Sequence, residues 1–123
     1  MKLRREFHFD AAHHLENYNE DHPNRRIHGH SFRVRVSLSG KPEAQTGQIM
    51  DLERFKSALD DVRGKLDHHM LNDIETLGPP TLENLCLWIW AQLKPQLTHL
   101  AEVEIFRDSL GQSCCYEGDD HGG

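Results

Sequence analysis

Cysteine is scarce in this chain. Three of the 123 residues are cysteines, Cys86, Cys114 and Cys115, and the last two are adjacent. Small secreted domains are cross-linked by an even number of cysteines that pair in disulfides, and three cysteines with two of them adjacent do not have this pattern. The sequence therefore indicates a reducing compartment, and we expect the protein in the cytoplasm.

Long apolar runs and an excess of basic residues are missing as well. No run approaches the ~20 apolar residues of a membrane-spanning helix, and no apolar export signal follows Met1. The net charge of −6 argues against a general nucleic-acid-binding protein. We therefore expect neither a membrane nor a nucleic acid as a partner. The length predicts one domain at residues 1–118, followed by a disordered polar tail at 119–123.

Apolar residues recur with two different periods along the chain. A period of two predicts β-strands, and a spacing of three and four predicts amphipathic helices. The predicted strands are Leu3 to His13, about Ser31 to Ser39, 101–108 and Ser113 to Glu117, with a brief further strand as an option at Gln48 to Met50. The predicted helices begin after the N-cap residues Asp51 and Thr81 and end at Leu66 and before Pro95. The order β-β-α-α-β-β predicts an α+β domain with the helices on one face of a sheet.

Three histidines fall on the apolar face of the first two predicted strands. His28 and His30 are one residue apart, so they project in the same direction, and His13 shares the face of Phe7 and Phe9. If the two strands pair, all three imidazoles meet. Three neutral imidazoles suit Zn²⁺ and leave a fourth position open, as in catalytic zinc sites. The simpler alternative is that the ten histidines of the chain cluster by chance and that those on the apolar face are ordinary core residues.

Two further groups of polar residues have more than one interpretation. Asp67-His68, at the predicted end of the first helix, suits a proton shuttle near neutral pH, but a cationic histidine that caps the helix explains the pair equally well. Arg33 and Arg35 are compatible with an anionic substrate, whereas solvation of the outer sheet face is the simpler explanation.

Several short motifs, in the same order along the chain, resemble those of the 6-pyruvoyl-tetrahydropterin synthase / 6-carboxytetrahydropterin synthase family. The resemblance covers nearly the whole chain, and it is closest to the bacterial 6-carboxytetrahydropterin synthases of the queuosine (7-deazaguanine) pathway. The motifs are Phe9-Asp10-Ala11-Ala12-His13, His28-Gly29-His30-Ser31-Phe32, Leu66-Asp67-His68-His69 with Leu71-Asn72, Pro80-Thr81-x-Glu83-Asn84-Leu85 and Trp88-Ile89-Trp90.

The resemblance implies a zinc-dependent lyase with the tunnelling fold. In that fold, protomers with an antiparallel four-stranded sheet and two helices join their sheets into a β-barrel trimer, and two trimers stack into a homohexamer. The implied substrate is 7,8-dihydroneopterin triphosphate. Zinc would bind to His13, His28 and His30 and hold the side-chain hydroxyls of the substrate.

The resemblance also implies roles for four other residues. His68, with Asp67, would relay protons. Asp108 lies at the place of the family's glutamate that anchors the pterin ring through its amino and ring N–H groups. Thr81 lies where the family has a threonine that contacts the pterin.

The sequence departs from the family pattern at two of the implied active-site positions. The family's general base is a cysteine four residues before the His-Gly-His motif, and here that place holds Asn24, whose amide cannot act as a base. The pterin-anchoring position holds Asp108, which is one methylene shorter than glutamate. Asp108 still accepts two N–H bonds if it lies closer to the ring.

Several interpretations of Asn24 are open. Another residue of the same loop, Glu20, Asp21 or His22, is one candidate to replace the cysteine. Alternatively, the chain cleaves the side chain to 6-hydroxymethyl-dihydropterin, as family members with glutamate at this place mainly do, or it acts on a different pterin. A third interpretation is a catalytically weak or non-enzymatic zinc- or pterin-binding protein. The retained Asp67-His68 pair favours an enzyme, because a pure binding protein needs no proton relay.

Overall fold

The computed structural model describes residues 1–15 and 26–118. The predicted loop residues Glu20, Asp21, His22 and Asn24 lie outside the described residues, and so does the predicted tail at 119–123. Within the two described ranges the chain forms four strands and two α-helices.

Four strands form one antiparallel sheet, with the strands in the order of the sequence. They are β1 (Lys2–His13), β2 (His28–Ser39), β3 (Leu100–Arg107) and β4 (Gln112–Tyr116). β1 and β4 are therefore the edge strands. The predicted element order and the α+β class are confirmed, and each predicted strand end lies within one residue of the observed end except the start of β2.

β2 begins at His28, three residues before the predicted start at Ser31. The reason is the length of its partner, because β1 and β2 stay in register from Lys2 opposite Ser39 to His13 opposite His28. His28 and His30 consequently belong to the sheet itself. Their backbone is held by the ladder of hydrogen bonds to β1, which fixes the direction of both imidazoles.

Two helices, α1 (Leu52–Leu66) and α2 (Leu82–Leu93), pack their apolar sides on one face of the sheet. The buried side chains of this core include Phe9 and Phe32, whose rings stack with centroids 4.8 Å apart. None of the helices in the described ranges has the length and apolar character that crossing a membrane requires.

The two predicted helix caps differ in their chemistry. The hydroxyl of Thr81 accepts a hydrogen bond from the backbone N–H of Asn84 at 3.1 Å, which is the N-cap interaction expected for threonine. Asp51 occupies the N-cap position of α1 without a capping hydrogen bond from its side chain. The prediction of an optional brief strand at Gln48 to Met50 is wrong. The carbonyl of Gln48 accepts a hydrogen bond from the backbone N–H of Glu43 within a local turn instead.

The other face of the sheet carries a network of ion pairs. The guanidinium of Arg33 binds both carboxylate oxygens of Asp108, at 2.9 and 3.0 Å, and one oxygen of Glu6 at 3.1 Å. Arg35 donates to the same oxygen of Glu6 at 2.8 Å, and Arg33 lies 3.9 Å from the ring centre of Phe106. Arg33 and Arg35 therefore belong to the outer face, as the simpler explanation predicts.

Candidate functional site

The three predicted metal ligands meet where the pairing of β1 and β2 begins. The ring centroids of His13 and His28 are 4.6 Å apart, those of His13 and His30 4.9 Å, and those of His28 and His30 4.8 Å. One ring nitrogen of each residue lies within 4.8 Å of the other two. Three imidazole nitrogens thus converge, and we refer to His13, His28 and His30 as the histidine cluster.

Two backbone carbonyls orient the rings of the histidine cluster. The Nδ1–H of His13 donates to the carbonyl oxygen of Pro80 at 2.9 Å, and the Nδ1–H of His28 donates to that of Arg26 at 2.7 Å. Because a carbonyl oxygen only accepts, both rings carry their proton on Nδ1 and keep a lone pair on Nε2. Histidines that bind zinc have this kind of hydrogen bond on the nitrogen that faces away from the metal.

The inner nitrogens of the cluster are buried without a partner. The Nε2 atoms of His13 and His30 have no hydrogen bond among the described residues. Such an unsatisfied buried atom costs about 1–3 kcal/mol. A coordinated metal ion would satisfy both atoms, so the donor set and its burial fit Zn²⁺.

The surroundings of His13 and His30 favour the neutral form of both imidazoles. Burial lowers the pKa of His13 from its usual 6.5. The hydrogen bond to Pro80 raises this pKa, and the nearby His28 and Arg107 lower it further. Burial, followed by the charges of His13, Arg107 and His28, lowers the pKa of His30 to about 4. Neutral imidazole is the form that binds a metal, so this environment favours coordination at neutral pH.

Asp67 and His68 form a hydrogen-bonded pair directly after α1. The Nδ1 of His68 lies 2.9 Å from one carboxylate oxygen of Asp67, and Arg63 lies 3.1 Å from the same oxygen. The other oxygen accepts the backbone N–H of Asp10 at 2.9 Å. That bond is the main cause that holds the pKa of Asp67 below its usual value, with His68 and Arg63 adding to it. The two neighbours therefore touch, and an ionised carboxylate orients the imidazole.

The backbone of His68 has the left-handed conformation, with φ of 59°. This conformation is uncommon for residues other than glycine and often marks a functional position. The backbone N–H of His68 donates to the carbonyl of Asp10 at 2.7 Å, which ties the turn to β1. The turn directs the imidazole to the Asp67 carboxylate, and proton transfer by the pair stays a prediction.

A cleft of about 510 Å³ borders one member of each group, His30 of the histidine cluster and His68 of the pair. Its walls include His30, Asp10, Ser31 and His68. The side chain of His68 is 80% exposed, so its ring is accessible from the cleft. One metal-binding candidate and one proton-transfer candidate thus line the same space.

Thr81 and Asp108 do not line this cleft within the single chain. Thr81 borders a separate hollow beside Pro80, and its hydroxyl caps α2. Asp108 follows β3, and its side chain is 61% exposed and bound to Arg33, which lowers the pKa of its carboxyl. The roles of both residues toward a pterin stay predictions.

Three residues that shape the site are not identified from the sequence. The carbonyls of Pro80 and Arg26 carry no side-chain signal, and Pro80 is 67 positions away from His13. Arg107 lies near the histidine cluster and affects the pKa of two of its members. The sequence does contain a sign of its position, because Arg107 follows Val103 and Ile105 at the strand period of two and so falls on the same core-facing side.

Comparisons with known proteins agree with the motifs. The family model of 6-pyruvoyl tetrahydropterin synthase matches residues 2–119. The chain is 41% identical over 97 residues to the 6-carboxy-5,6,7,8-tetrahydropterin synthase of a Synechocystis strain, covering 75% of this chain and 74% of that protein. It is 35% identical over 116 residues to the dihydroneopterin monophosphate aldolase of Pyrococcus furiosus, covering 93% of this chain and 87% of that protein.

The fold agrees as well. The structure superposes on that of Caenorhabditis elegans 6-pyruvoyl tetrahydropterin synthase with a TM-score of 0.84, covering 96% of this chain and 95% of that one at 24% identity. This likeness confirms the tunnelling fold that the motifs imply. Together with the match of the family model over residues 2–119, it leads to one conclusion: this chain belongs to the 6-pyruvoyl tetrahydropterin synthase family.

Proposed function

We propose that this chain is a zinc-dependent lyase that acts on the side chain of a phosphorylated 7,8-dihydroneopterin in the cytoplasm. The observation that carries the proposal is the cleft whose walls include both His30 and His68. A metal-binding group beside a proton-transfer group suits a hydroxylated substrate. The names of the Synechocystis and Pyrococcus relatives support a pterin as that substrate.

His13, His28 and His30 would hold the ion through their Nε2 atoms. When bound, zinc supplies Lewis acidity, which lowers the pKa of a substrate hydroxyl coordinated to it. The chain itself fixes the rings through the carbonyls of Pro80 and Arg26. Phe32 packs edge-on against two of the rings, 6.2 Å from His13 and 5.8 Å from His30, and shields the inner side of the cluster from water.

His68 would move the proton. Its Nδ1 faces the Asp67 carboxylate, so Nε2 is the atom available to take a proton from the substrate and to return one. Asp67 stays ionised and stabilises the imidazolium that forms in between. The bond from the Asp10 N–H keeps the carboxylate in position during this exchange.

Two reactions suit this site, and Asn24 discriminates between them. The first is the 6-carboxytetrahydropterin synthase reaction of the queuosine pathway, for which the family resemblance implies a cysteine base at this place. No cysteine precedes Cys86, which is buried in the core with a raised thiol pKa. Cys114 and Cys115 lie in β4, at the opposite edge of the sheet from β1 within the single chain, and neither occupies the place of Asn24. The second reaction, cleavage of the side chain, is therefore favoured.

The cleavage is a retro-aldol reaction that one proton-transfer group can serve. The C2′ hydroxyl proton passes to His68, C2′ becomes an aldehyde, and the C1′–C2′ bond breaks. The electron pair of that bond enters the conjugated C6=N5 system, and C1′ is then protonated. The products are 6-hydroxymethyl-7,8-dihydropterin and a phosphorylated glycolaldehyde, and no oxidant or reductant is consumed.

We also propose that the protein works as a homo-oligomer, with the hexamer implied by the family resemblance as the expected form. β1 and β4 are the edge strands of the sheet, and an edge strand is where a strand of another chain can be added. Thr81 and Asp108 lie away from the cleft in the single chain, so a neighbouring protomer would have to supply them. The mass in solution, measured by light scattering, tests this arrangement, and a monomer would contradict it.

The central experiment identifies the product. Zinc-loaded protein is incubated with 7,8-dihydroneopterin triphosphate and, separately, with the monophosphate, and the pterins are identified by mass spectrometry, with a chelator as control. Chelator-sensitive 6-hydroxymethyl-dihydropterin supports cleavage, and 6-carboxytetrahydropterin supports the synthase reaction. Absence of any product with tight zinc binding would leave a binding protein.

The variant His68→Ala separates an enzyme from a binding protein. If His68 relays protons, the variant loses about 100- to 10,000-fold in turnover and keeps its zinc and its affinity for pterin. If the wild-type protein shows no turnover above that of the variant, the enzyme proposal is wrong.

A further inference from the structure

Arg107 is a charged residue on the core side of the sheet, near the histidine cluster. It is the last residue of β3, where it pairs with Gln112 of β4. Val103 and Ile105 precede it at the period of the strand and are fully buried. A guanidinium at the end of an apolar stripe has to be held by a charged partner, by water or by a ligand.

The described residues offer Arg107 little compensation. Its Nε is buried without a hydrogen-bond partner, and no carboxylate among the described residues forms an ion pair with it. Burial lowers the pKa of its guanidinium, and Glu83, in the first turn of α2, is the one charge that opposes this effect. Arg33, by contrast, is bound on the outer face by Asp108 and Glu6.

The register of the sheet places Arg107 near the cluster. Arg107 follows Phe106, which pairs with Arg33, and Phe32 precedes Arg33 in β2. The ring of Phe32 lies 6.2 Å from that of His13 and 5.8 Å from that of His30, and the charge of Arg107 accordingly lowers the pKa of both histidines. A cation beside the metal ligands weakens metal binding to some extent, because like charges repel. An unpaired, partly buried arginine at this place therefore has a cost to stability, and it lacks the ion pairs that Arg33, Arg35 and Arg63 form.

We propose that Arg107 binds the phosphate group of the substrate side chain. This inference rests on the proposed function, in which the hydroxyls of the side chain lie at the histidine cluster. The phosphate is attached to the carbon that follows those hydroxyls, so it falls within a few ångströms of the cluster. Arginine presents planar, paired N–H donors that match phosphate oxygens, and no ion pair of Arg107 with a described residue occupies these donors.

The proposal makes the phosphate a requirement for binding, and it excludes the unphosphorylated pterin as a good ligand. An alternative use of Arg107 is a tether that pairs with Glu83 and fixes α2 on β3. The two uses differ in their consequences. A tether affects stability for every ligand alike, whereas a phosphate-binding residue affects only ligands that carry the phosphate.

The test compares Arg107→Gln with Arg5→Gln as a matched control. Arg5 is a half-buried residue of β1 opposite Val36, so its replacement removes the same charge far from the cluster. Both are made in zinc-loaded His68→Ala protein, in which ligands should stay intact. Dissociation constants are measured by fluorescence for 7,8-dihydroneopterin and for its monophosphate and triphosphate, and zinc content is measured for each variant.

We expect Arg107→Gln to weaken binding of both phosphorylated pterins by about 10- to 100-fold and binding of 7,8-dihydroneopterin by less than about twofold. Arg107→Lys should recover part of the loss, and Arg5→Gln should change nothing. Equal losses for all three ligands, or no loss for the phosphorylated ones, would overturn the proposal. If the monophosphate alone is affected, Arg107 binds the first phosphate of that ligand and the triphosphate is not the ligand of this site.

Failure of this proposal is distinct from failure of the proposed function. Turnover by the wild-type protein tests the lyase, and phosphate-dependent binding tests Arg107. A protein that makes product but shows no phosphate dependence on Arg107 keeps the proposed function and loses this inference. A protein that makes no product but loses phosphorylated ligands in Arg107→Gln keeps the phosphate site and loses the lyase.

Discussion

The Nδ1 of His13 lies 2.9 Å from the carbonyl oxygen of Pro80, a residue 67 positions later in the chain. Pro80 stands directly before Thr81, which caps α2, so the start of that helix is tied to a ring of the histidine cluster. The bond fixes the proton on Nδ1 and leaves Nε2 for a metal ion. The packing of α2 on the sheet and the geometry of the candidate zinc site are thereby coupled.

Removal of one ring of the cluster should release the metal. We expect His28→Ala to lower the zinc content of the purified protein from stoichiometric to a small fraction, because two imidazoles hold zinc far less tightly than three. His8→Ala is the control, since His8 is an exposed residue of the same sheet. Elemental analysis after dialysis measures both. Full zinc occupancy in His28→Ala would contradict the assignment of the ligands.

Asp67 should contribute to stability in a pH-dependent way. Its pKa in the folded protein lies below the usual 3.8, chiefly because of the hydrogen bond from the Asp10 N–H. A carboxyl group with a lowered folded pKa stabilises the fold above its unfolded pKa, and the contribution disappears as the pH falls through the folded value. The free energy of unfolding should therefore be higher for the wild type than for Asp67→Asn. This difference should be largest at pH 7 and should shrink below about pH 4.

Urea unfolding of both proteins between neutral pH and about pH 3 measures this difference. Asp60→Asn is the control, because Asp60 is an exposed carboxylate of α1 that contacts Lys56 one turn away. A difference between the wild type and Asp67→Asn that stays constant with pH would show that Asp67 does not act through its charge.

The spacing of residues predicts the face of each histidine but not its orientation. Alternation places His13 with Phe7 and Phe9 and places His28 beside His30, and those regularities are sufficient to predict the histidine cluster. The ring orientations depend on the carbonyls of Pro80 and Arg26, and every residue has a carbonyl, so no residue type reveals them. The start of β2 at His28 likewise depends on the length of β1, which is a tertiary effect.

Asp67 and His68 illustrate the same limit at another level. Their residue types suggest proton transfer, but their contact depends on the left-handed backbone of His68 and on two hydrogen bonds to the backbone of Asp10 in β1, one from the His68 N–H and one to the Asp67 carboxylate. The family resemblance supplied the role of the pair, and the fold supplied the reason that sequence neighbours touch. Arg107, in contrast, interrupts an apolar alternation visible in the sequence, and its meaning depends on the nearby histidine cluster.

Thr81 has one role that the geometry explains and one that the family resemblance implies. Its hydroxyl caps α2, so Thr81→Ala should lower the free energy of unfolding by about 1 kcal/mol, and Thr81→Ser should recover most of it. If the hydroxyl also contacts the pterin, Thr81→Ala raises the KM for the pterin substrate and Thr81→Ser restores it. Denaturant unfolding and steady-state kinetics measure the two effects. A KM unchanged in Thr81→Ala would restrict the residue to the cap.

The identity of residue 24 should decide the product. A thiol of ordinary acidity is already a few per cent thiolate near neutral pH, whereas an amide does not titrate, so Asn24→Cys introduces a base where the family resemblance implies one. We expect Asn24→Cys to convert part of the 6-hydroxymethyl-dihydropterin product into 6-carboxytetrahydropterin. Asn24→Ser is the matched control, since serine has nearly the size of cysteine without an acidic thiol. Mass spectrometry of the products measures the ratio.

The direction of the change distinguishes the two reactions proposed for the wild type. If the wild type already makes 6-carboxytetrahydropterin, another group of the chain acts as the base, and Asn24→Cys should raise the rate without changing the product. If Asn24→Cys and Asn24→Ser give the same product distribution as the wild type, residue 24 does not control the reaction. Alkylation of Asn24→Cys before the assay provides a further check, because a product shift caused by the new thiol should then disappear.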